Sequence, residues 1–149
     1  MKNCLEGLEV VYGWDVDMER NRYVGREGYE PGPKAPKKAS NMNFPDFPDC
    51  AYPIVLVQPE SGREILNIGP MFLHHVDGLP DDESDALLRE LVGHVTQPEL
   101  AYYHHWKPDD VILWDNWRMM HSATGTAAGV KRIIHRTTIL GGATLGRIA

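Results

Sequence analysis

Short segments in which apolar and polar residues alternate predict the first strands of this chain. Residues 8–14 are rich in valine and aromatic residues, which favour a strand. Two further apolar runs, residues 53–57 and 64–68, are separated by a turn segment that contains Gly62. Two such runs joined by a short glycine-containing turn are typical of a β-hairpin.

Apolar residues at helical spacing predict one amphipathic helix over residues 83–96, ended by Pro98. Residues 100–106 and 111–114 each predict a strand, the second of them buried. Residues 130–140 are β-branched and alternating, and they give the clearest strand pattern. Strands outnumber helices, so the pattern predicts a mainly β fold, an antiparallel sandwich or jelly roll with a helix packed outside.

Between the first strand and the hairpin lies a stretch dense in proline and glycine, from about residue 20 to about residue 51. This composition prevents regular structure and predicts a long loop. A loop of this length in a compact domain is an active-site lid, a binding loop or a disordered segment.

Composition narrows the function classes. Hydrophobic residues make up 42% of the 149 residues, and the formal net charge is −6, which argues against a nucleic-acid-binding surface. No segment has the roughly 20 apolar residues of a membrane span, and no signal peptide is apparent, so we expect a cytoplasmic protein without membrane or nucleic-acid partners. Two cysteines without a C-x-x-C pair exclude a disulfide framework and a zinc ribbon.

His121 is the first candidate for chemistry. It follows the predicted strand 111–114 and precedes small and polar residues that include Gly125. A histidine at such a loop can reach a metal with little steric obstruction. Taken alone, however, a single histidine is more often a surface residue.

Arg132 and Arg136 would share one face of the predicted strand 130–140, because side chains alternate between faces. Four residues along a strand separate them by about 13 Å, which suits two anions held side by side. The alternative is a solvated face on which both arginines pair with surface carboxylates.

The combination of Trp114-Asp115-Asn116, His121, Arg132 and Arg136 is more specific than any one motif. Arg132 follows His121 by eleven positions, and with this spacing the combination resembles the C-terminal part of the taurine dioxygenase/2,4-dichlorophenoxyacetate dioxygenase (TauD/TfdA) family. These are Fe(II)- and 2-oxoglutarate-dependent dioxygenases. The resemblance covers about residues 5–142 and is dense from Tyr52 onward.

The resemblance implies a double-stranded β-helix, the cupin-like jelly roll, and it implies roles for three residues. His121 matches the distal histidine that binds Fe(II). Arg132 matches the arginine that holds the far carboxylate of 2-oxoglutarate, the cosubstrate. Arg136 matches the arginine that binds the sulfonate, carboxylate or sulfate ester of a small anionic substrate in some members. The implied reaction hydroxylates that substrate while 2-oxoglutarate is decarboxylated to succinate.

The family's other two iron ligands form an H-x-D motif upstream of the matched region. Residues 1–149 are therefore expected to be the C-terminal portion of such a domain, incomplete on their own. His75-Val76-Asp77 is an H-x-D sequence, but it lies where family members carry no ligand, and we expect it not to bind metal. The remaining alternatives are a non-catalytic anion-binding jelly-roll module and an inactive gene fragment. A cut jelly roll would expose strand edges, which favours a homo-oligomer.

Overall fold

A computed structural model describes residues 2–14, 22–24, 47–123, 127–139 and 145–149 of the chain. Its elements in chain order are α1 (Lys2–Leu5), β1 (Glu9–Tyr12), β2 (Cys50–Pro53), β3 (Val55–Val57), β4 (Glu64–Leu66), β5 (Leu73–Val76), α2 (Asp81–Val95) and β6 (Arg147–Ile148). A single 3-10 turn, Pro98–Leu100, follows α2. None of the helices in these ranges is long and apolar enough to cross a membrane.

Four strands form the larger sheet, in the order β5-β1-β2-β6, and every pair in it is antiparallel. The central strand β1 places Val10 opposite Tyr52 of β2 and opposite Val76 of β5. The pattern that predicted a strand at residues 8–14 is therefore confirmed by β1. The short strand β6 lies at the edge and pairs with β2.

Strands β3 and β4 form the predicted hairpin, with Val55 opposite Leu66. Its turn is closed by the backbone N–H of Gln58, which donates to the carbonyl of Arg63 at 2.8 Å. Gly62 adopts a φ of +66°, a left-handed conformation that side chains with a Cβ rarely take. The glycine in the sequence thus marks the position at which the chain reverses.

Helix α2 begins two residues earlier than predicted and ends one residue earlier. Three acidic residues in its first turn, residues 81–83, stabilise the helix because they lie at the positive end of its dipole. On its inner face Leu88 and Leu91 are buried against the sheet. The buried hydroxyl of Ser84 accepts the backbone N–H of Val76 at 2.8 Å, which fixes α2 to β5.

The hydrophobic core lies between α2, the central strands and the hairpin. Its members are apolar side chains with little or no exposure: Leu5, Val10, Tyr23, Ile54, Ile68, Leu73, Val76, Leu88 and Leu91. Helices α1 and α2 and strands β1 and β5 thus turn an apolar face inward, as the alternating and helical patterns require.

Tyr23 attaches residues 22–24 to helix α2. The side chain is only 6% exposed, and its hydroxyl donates to Asp85 Oδ1 at 3.0 Å. The guanidinium carbons of Arg22 and Arg89 lie 5.3 and 5.8 Å from the centre of the Tyr23 ring. Burial, followed by the hydrogen bond to Asp85, raises the pKa of the Tyr23 phenol.

Three strand predictions are wrong. No strand pairing occurs in residues 100–106, 111–114 or 130–139, the last being the described part of the predicted strand 130–140. Val111 and Leu113, expected in a buried strand, are 91% and 85% exposed. Alternation indicates which face of a strand would be buried, but a strand forms only where a neighbour takes up its backbone hydrogen bonds. None of the described strands pairs with these segments.

The loop prediction is tested at its edges only. Strand β2 begins at Cys50, so the loop expected to reach about residue 51 ends slightly earlier. Residues 25–46, which make up most of that loop, lie outside the described residues. Strands β2, β5 and β6 are additions that the sequence pattern did not predict.

Candidate functional site

The turn that precedes His121 is organised by the carboxylate of Asp115. Its Oδ1 accepts the backbone N–H of Trp117 at 2.8 Å, and its Oδ2 accepts Nε of Arg118 at 3.0 Å. The backbone carbonyl of Asp115 also accepts the N–H groups of Arg118 and Met119. An aspartate that accepts backbone donors two residues on is a common turn-forming residue.

Asp115 also contacts the hairpin. Gln58 donates from Nε2 to Asp115 Oδ2 at 3.1 Å. The N–H of Trp117, and after it Arg118 and Gln58, stabilise the charged carboxylate and lower the pKa of Asp115. The side chain is therefore an anion in a fixed set of donors at neutral pH.

His121 is exposed and has contacts on two sides. The ring centre of Trp114 lies 5.1 Å from that of His121, at a tilt of 50°. The second contact joins His121 Nε2 to Nη1 of Arg136 over 3.0 Å. Because a guanidinium only donates hydrogen bonds, Nε2 is the acceptor in this contact.

The structure thus brings together two of the three residues that the resemblance singles out. Arg132 is exposed in the same segment, four positions before Arg136. Because residues 130–139 form no strand, the separation of about 13 Å deduced from strand geometry has no basis in this fold. The roles of His121, Arg132 and Arg136 remain predictions that rest on their spacing.

The described residues do not form the iron site that the resemblance implies. Such a site needs two histidines and one carboxylate on one face of the metal. In the described ranges, no three His, Cys, Asp or Glu side chains come close enough to hold a metal ion. The resemblance assigns one of the three ligands, His121, to the described residues, and that role stays a prediction.

His75 and Asp77, the H-x-D sequence, have other surroundings. His75 is an exposed residue of β5 and lies opposite Val11 of β1. Asp77 Oδ2 pairs with Nη2 of Arg147 at 2.6 Å, and the same arginine holds Glu9. Asp77 therefore belongs to an ion-pair cluster with Arg147 and Glu9.

A cluster of polar side chains around His104 and Asp110 lies just before the turn that Asp115 organises. His104 Nε2 is 3.1 Å from Asp110 Oδ2, and its Nδ1 is 3.2 Å from the hydroxyl of Tyr102. The backbone N–H of Lys107 is the main cause that lowers the pKa of Asp110. This carboxylate, like Asp115, holds a turn together, and the sequence reasoning did not identify either role.

An apolar cleft of about 450 Å³ opens beside the larger sheet. Its walls are mostly aromatic: Tyr12, Gly13, Trp14, Phe47, Pro48, Cys50, Tyr52 and Phe72. Ring centres of Trp14 and Phe72 lie 4.8 Å apart. The cleft suits an apolar body of moderate size, and its lining does not include His121, Arg132 or Arg136.

A protein-family model, described as "Taurine catabolism dioxygenase TauD, TfdA family", matches residues 3–138. An (S)-phenoxypropionate/alpha-ketoglutarate-dioxygenase from Sphingobium herbicidovorans is 38% identical over 102 residues, which cover 68% of this chain and 35% of that protein. An alpha-ketoglutarate-dependent 2,4-dichlorophenoxyacetate dioxygenase from Burkholderia sp. is 36% identical over 95 residues, which cover 64% of this chain and 32% of that protein.

Among solved structures, a taurine dioxygenase from Burkholderia xenovorans matches with a TM-score of 0.49 and 24% identity, over 71% of this chain and 28% of that one. The aligned part of the chain spans about a third of the length of the curated relatives, 35% and 32% of the two above. The matched region contains His121, Arg132 and Arg136.

Proposed function

The chain belongs to the TauD/TfdA family of dioxygenases, and on that premise we propose that it corresponds to the C-terminal portion of a jelly-roll domain that oxidises a small organic anion. The reaction is the family's: the substrate is hydroxylated while 2-oxoglutarate is decarboxylated to succinate. Fe(II) is the metal that this chemistry requires. Because the described residues do not form the iron site on their own, the contribution derived for this chain is anion binding and orientation.

In this proposal Arg132 binds the far carboxylate of 2-oxoglutarate. A guanidinium presents two parallel N–H donors to a carboxylate and stays charged at every physiological pH. Orienting the cosubstrate through its distal end leaves its 2-oxo acid end free to react. The support is the position of Arg132, eleven residues after His121 within the matched region.

Arg136 binds the anionic group of the substrate to be oxidised. Its contact with His121 Nε2 at 3.0 Å places a permanent cation beside the histidine that the family uses as a ligand. Two relatives are named for phenoxypropionate and 2,4-dichlorophenoxyacetate, both aryloxy carboxylates. A carboxylate, sulfonate or sulfate ester suits the guanidinium equally well, so we propose a small organic anion as the substrate class.

The single observation that carries the proposal is the order and spacing of His121, Arg132 and Arg136 within the family match. The test measures the affinity of the full chain for 2-oxoglutarate in an NMR chemical-shift titration. Arg132→Ala should raise Kd by about tenfold or more, because hydrogen bonds to charged groups contribute about 1.5–3 kcal/mol. Lys131→Ala removes a neighbouring charge and is the matched control. Equal losses in both variants would mean that net charge, and not an arginine site, attracts the anion.

A second candidate, a non-catalytic anion-binding module, is favoured by one observation. No three metal-ligating side chains come together in the described residues, whereas His121 and Arg136 already lie in contact. Such a module would bind 2-oxoglutarate or the substrate anion equally well with and without Fe(II). The dioxygenase proposal requires that Fe(II), in a protein with all three ligands, tightens 2-oxoglutarate binding.

A further inference from the structure

His121 lies in a part of the chain that no sheet holds in place. Residues 111–123 carry no strand pairing, so the backbone around the histidine is not fixed by a ladder of hydrogen bonds. Side-chain contacts must therefore define where the His121 ring lies. The structure shows a chain of such contacts that begins at the β3–β4 hairpin.

The first link is Gln58, which follows β3 directly. Its Oε1 accepts the hydroxyl of Ser61 at 2.6 Å, so its Nε2 is the end that faces Asp115 Oδ2, at 3.1 Å. The N–H of Gln58 also closes the hairpin turn by donating to Arg63. The amide is thus oriented by the hairpin before it reaches Asp115.

The second link is the turn held by Asp115. Because its carboxylate accepts Trp117 N–H and Arg118 Nε, the turn keeps one shape between Trp114 and His121. The indole N–H of Trp114 donates to Asn116 Oδ1 at 2.7 Å, which orients the indole. That indole packs against the His121 ring, with 5.1 Å between ring centres.

We propose that Asp115, anchored to the hairpin by Gln58, is a positioning residue that sets the orientation of the His121 ring through the Trp114 indole. Neither Asp115 nor Gln58 touches the anions or the metal in the proposed function. Both act through His121. The inference deepens the proposed function because it rests on His121 being a site residue. The test of this inference measures only the position of the His121 ring, so the inference can fail while the proposed function stands.

The contacts of Asp115 support this assignment over simple turn formation. Donors from both the turn and the hairpin converge on its carboxylate. The Gln58 contact spans 57 positions, so it has no role in forming the local turn. Hydrogen bonds to a charged acceptor are also about twice as strong as neutral ones.

The test uses NMR spectra of the full chain, with two readouts: the cross-peak between the Trp114 indole and the His121 ring, and the ring-current shift of the His121 protons. Gln58→Ala and Asp115→Ala should each abolish the cross-peak and the ring-current shift. Asp110→Ala is the matched control, since it removes the carboxylate of the preceding turn without touching Gln58 or Trp114. It should leave both readouts unchanged.

A second variant removes the donor without shortening the side chain. Gln58→Glu places two carboxylates face to face and should abolish the cross-peak and the ring-current shift. The methyl resonances of Leu88, in the core, report whether each variant is folded.

The proposal fails if the cross-peak and the shift survive in Gln58→Ala with Leu88 unperturbed. It also fails if both signals survive in Gln58→Glu. If Asp110→Ala alters His121 as strongly as Asp115→Ala does, the whole segment responds to any lost carboxylate, and Asp115 has no specific role.

Discussion

Nη1 of Arg136 lies 3.0 Å from Nε2 of His121, although fifteen positions separate the two residues. A guanidinium has no acceptor, so Nε2 of His121 is the accepting nitrogen in this contact. The nitrogen that faces Arg136 is consequently engaged by a cation. A metal ion could use that nitrogen only after Arg136 has moved away.

Iron binding by this chain alone should accordingly be weak. Anaerobic titration with Fe(II) and 2-oxoglutarate should give no metal-to-ligand charge-transfer band near stoichiometric concentrations, because a stable facial site needs two further ligands. His75→Ala serves as the control variant. A clear band in the unmodified chain that disappears in His75→Ala would overturn this expectation and make the His75-Val76-Asp77 sequence a metal site.

Arg136→Ala should separate substrate binding from cosubstrate binding in an enzyme that contains this chain and a complete iron site. We expect KM for the anionic substrate to rise by about tenfold or more, since a charged hydrogen-bond partner is lost. Turnover of 2-oxoglutarate in the absence of substrate should change little. Steady-state kinetics of Arg136→Ala and Arg132→Ala against both compounds measure this, and equal effects on the same Michaelis constant would contradict the two roles.

Two leucine substitutions should differ widely in their effect on stability. Leu88, with 0% exposure, is in the core, and Leu88→Ala should lower the free energy of unfolding by about 2–5 kcal/mol. Leu113 is 85% exposed, and Leu113→Ala should change it by about 0.5 kcal/mol or less. Urea unfolding measures both. A large cost at Leu113 would indicate that residues 111–114 are buried in solution, for instance in a homo-oligomer.

Removing the Tyr23 hydroxyl should weaken the attachment of residues 22–24 to helix α2. Tyr23→Phe keeps the buried ring and deletes the hydrogen bond to Asp85, so we expect a loss of about 1 kcal/mol in the free energy of unfolding. Tyr102→Phe, on an exposed tyrosine, is the comparison and should cost less. Similar values for the two variants would show that the Tyr23 hydroxyl is dispensable.

Acidification should destabilise the fold. The pKa values of Asp85, Asp110 and Asp115 are lowered in the folded state, by Arg89, by Lys107 N–H and by Trp117 N–H respectively as the largest causes. Their stabilisation is complete above the unfolded aspartate pKa of about 3.9 and is lost as pH falls through the lower folded values. Unfolding measured between pH 7 and pH 2 should show this fall, and Asp85→Asn should reduce its size.

Local pattern was sufficient wherever an element contacts its neighbours in sequence. The β3–β4 hairpin follows from two apolar runs and Gly62, and α2 follows from Leu88 and Leu91 at helical spacing. Strands β3 and β4 pair with each other, and the apolar face of α2 packs into the core. Strand β5 was missed because its two central histidines mask a buried Leu73 and Val76.

Pattern failed where no described strand takes up the backbone hydrogen bonds of the predicted strand. Residues 130–139 have the alternation of a strand, yet Ile133 is 65% exposed and no described strand pairs with the segment. The candidate site likewise has one feature that the sequence predicts and one that it does not. The spacing of His121 and Arg132 is legible in the sequence, whereas the Gln58–Asp115 contact depends on folding and has no sequence signal.

Pairing of β6 with β2 has a kinetic consequence. Arg147, in β6, holds Glu9 across 138 positions, so the edge of the larger sheet is completed by the last described residues of the chain. During synthesis, the hairpin and α2 can form while these residues are still inside the ribosome, but the sheet cannot close. Contacts of such high sequence separation slow folding, because a long loop must be closed before they form. Pairing of β6 with β2 is therefore the last step in completing the sheet.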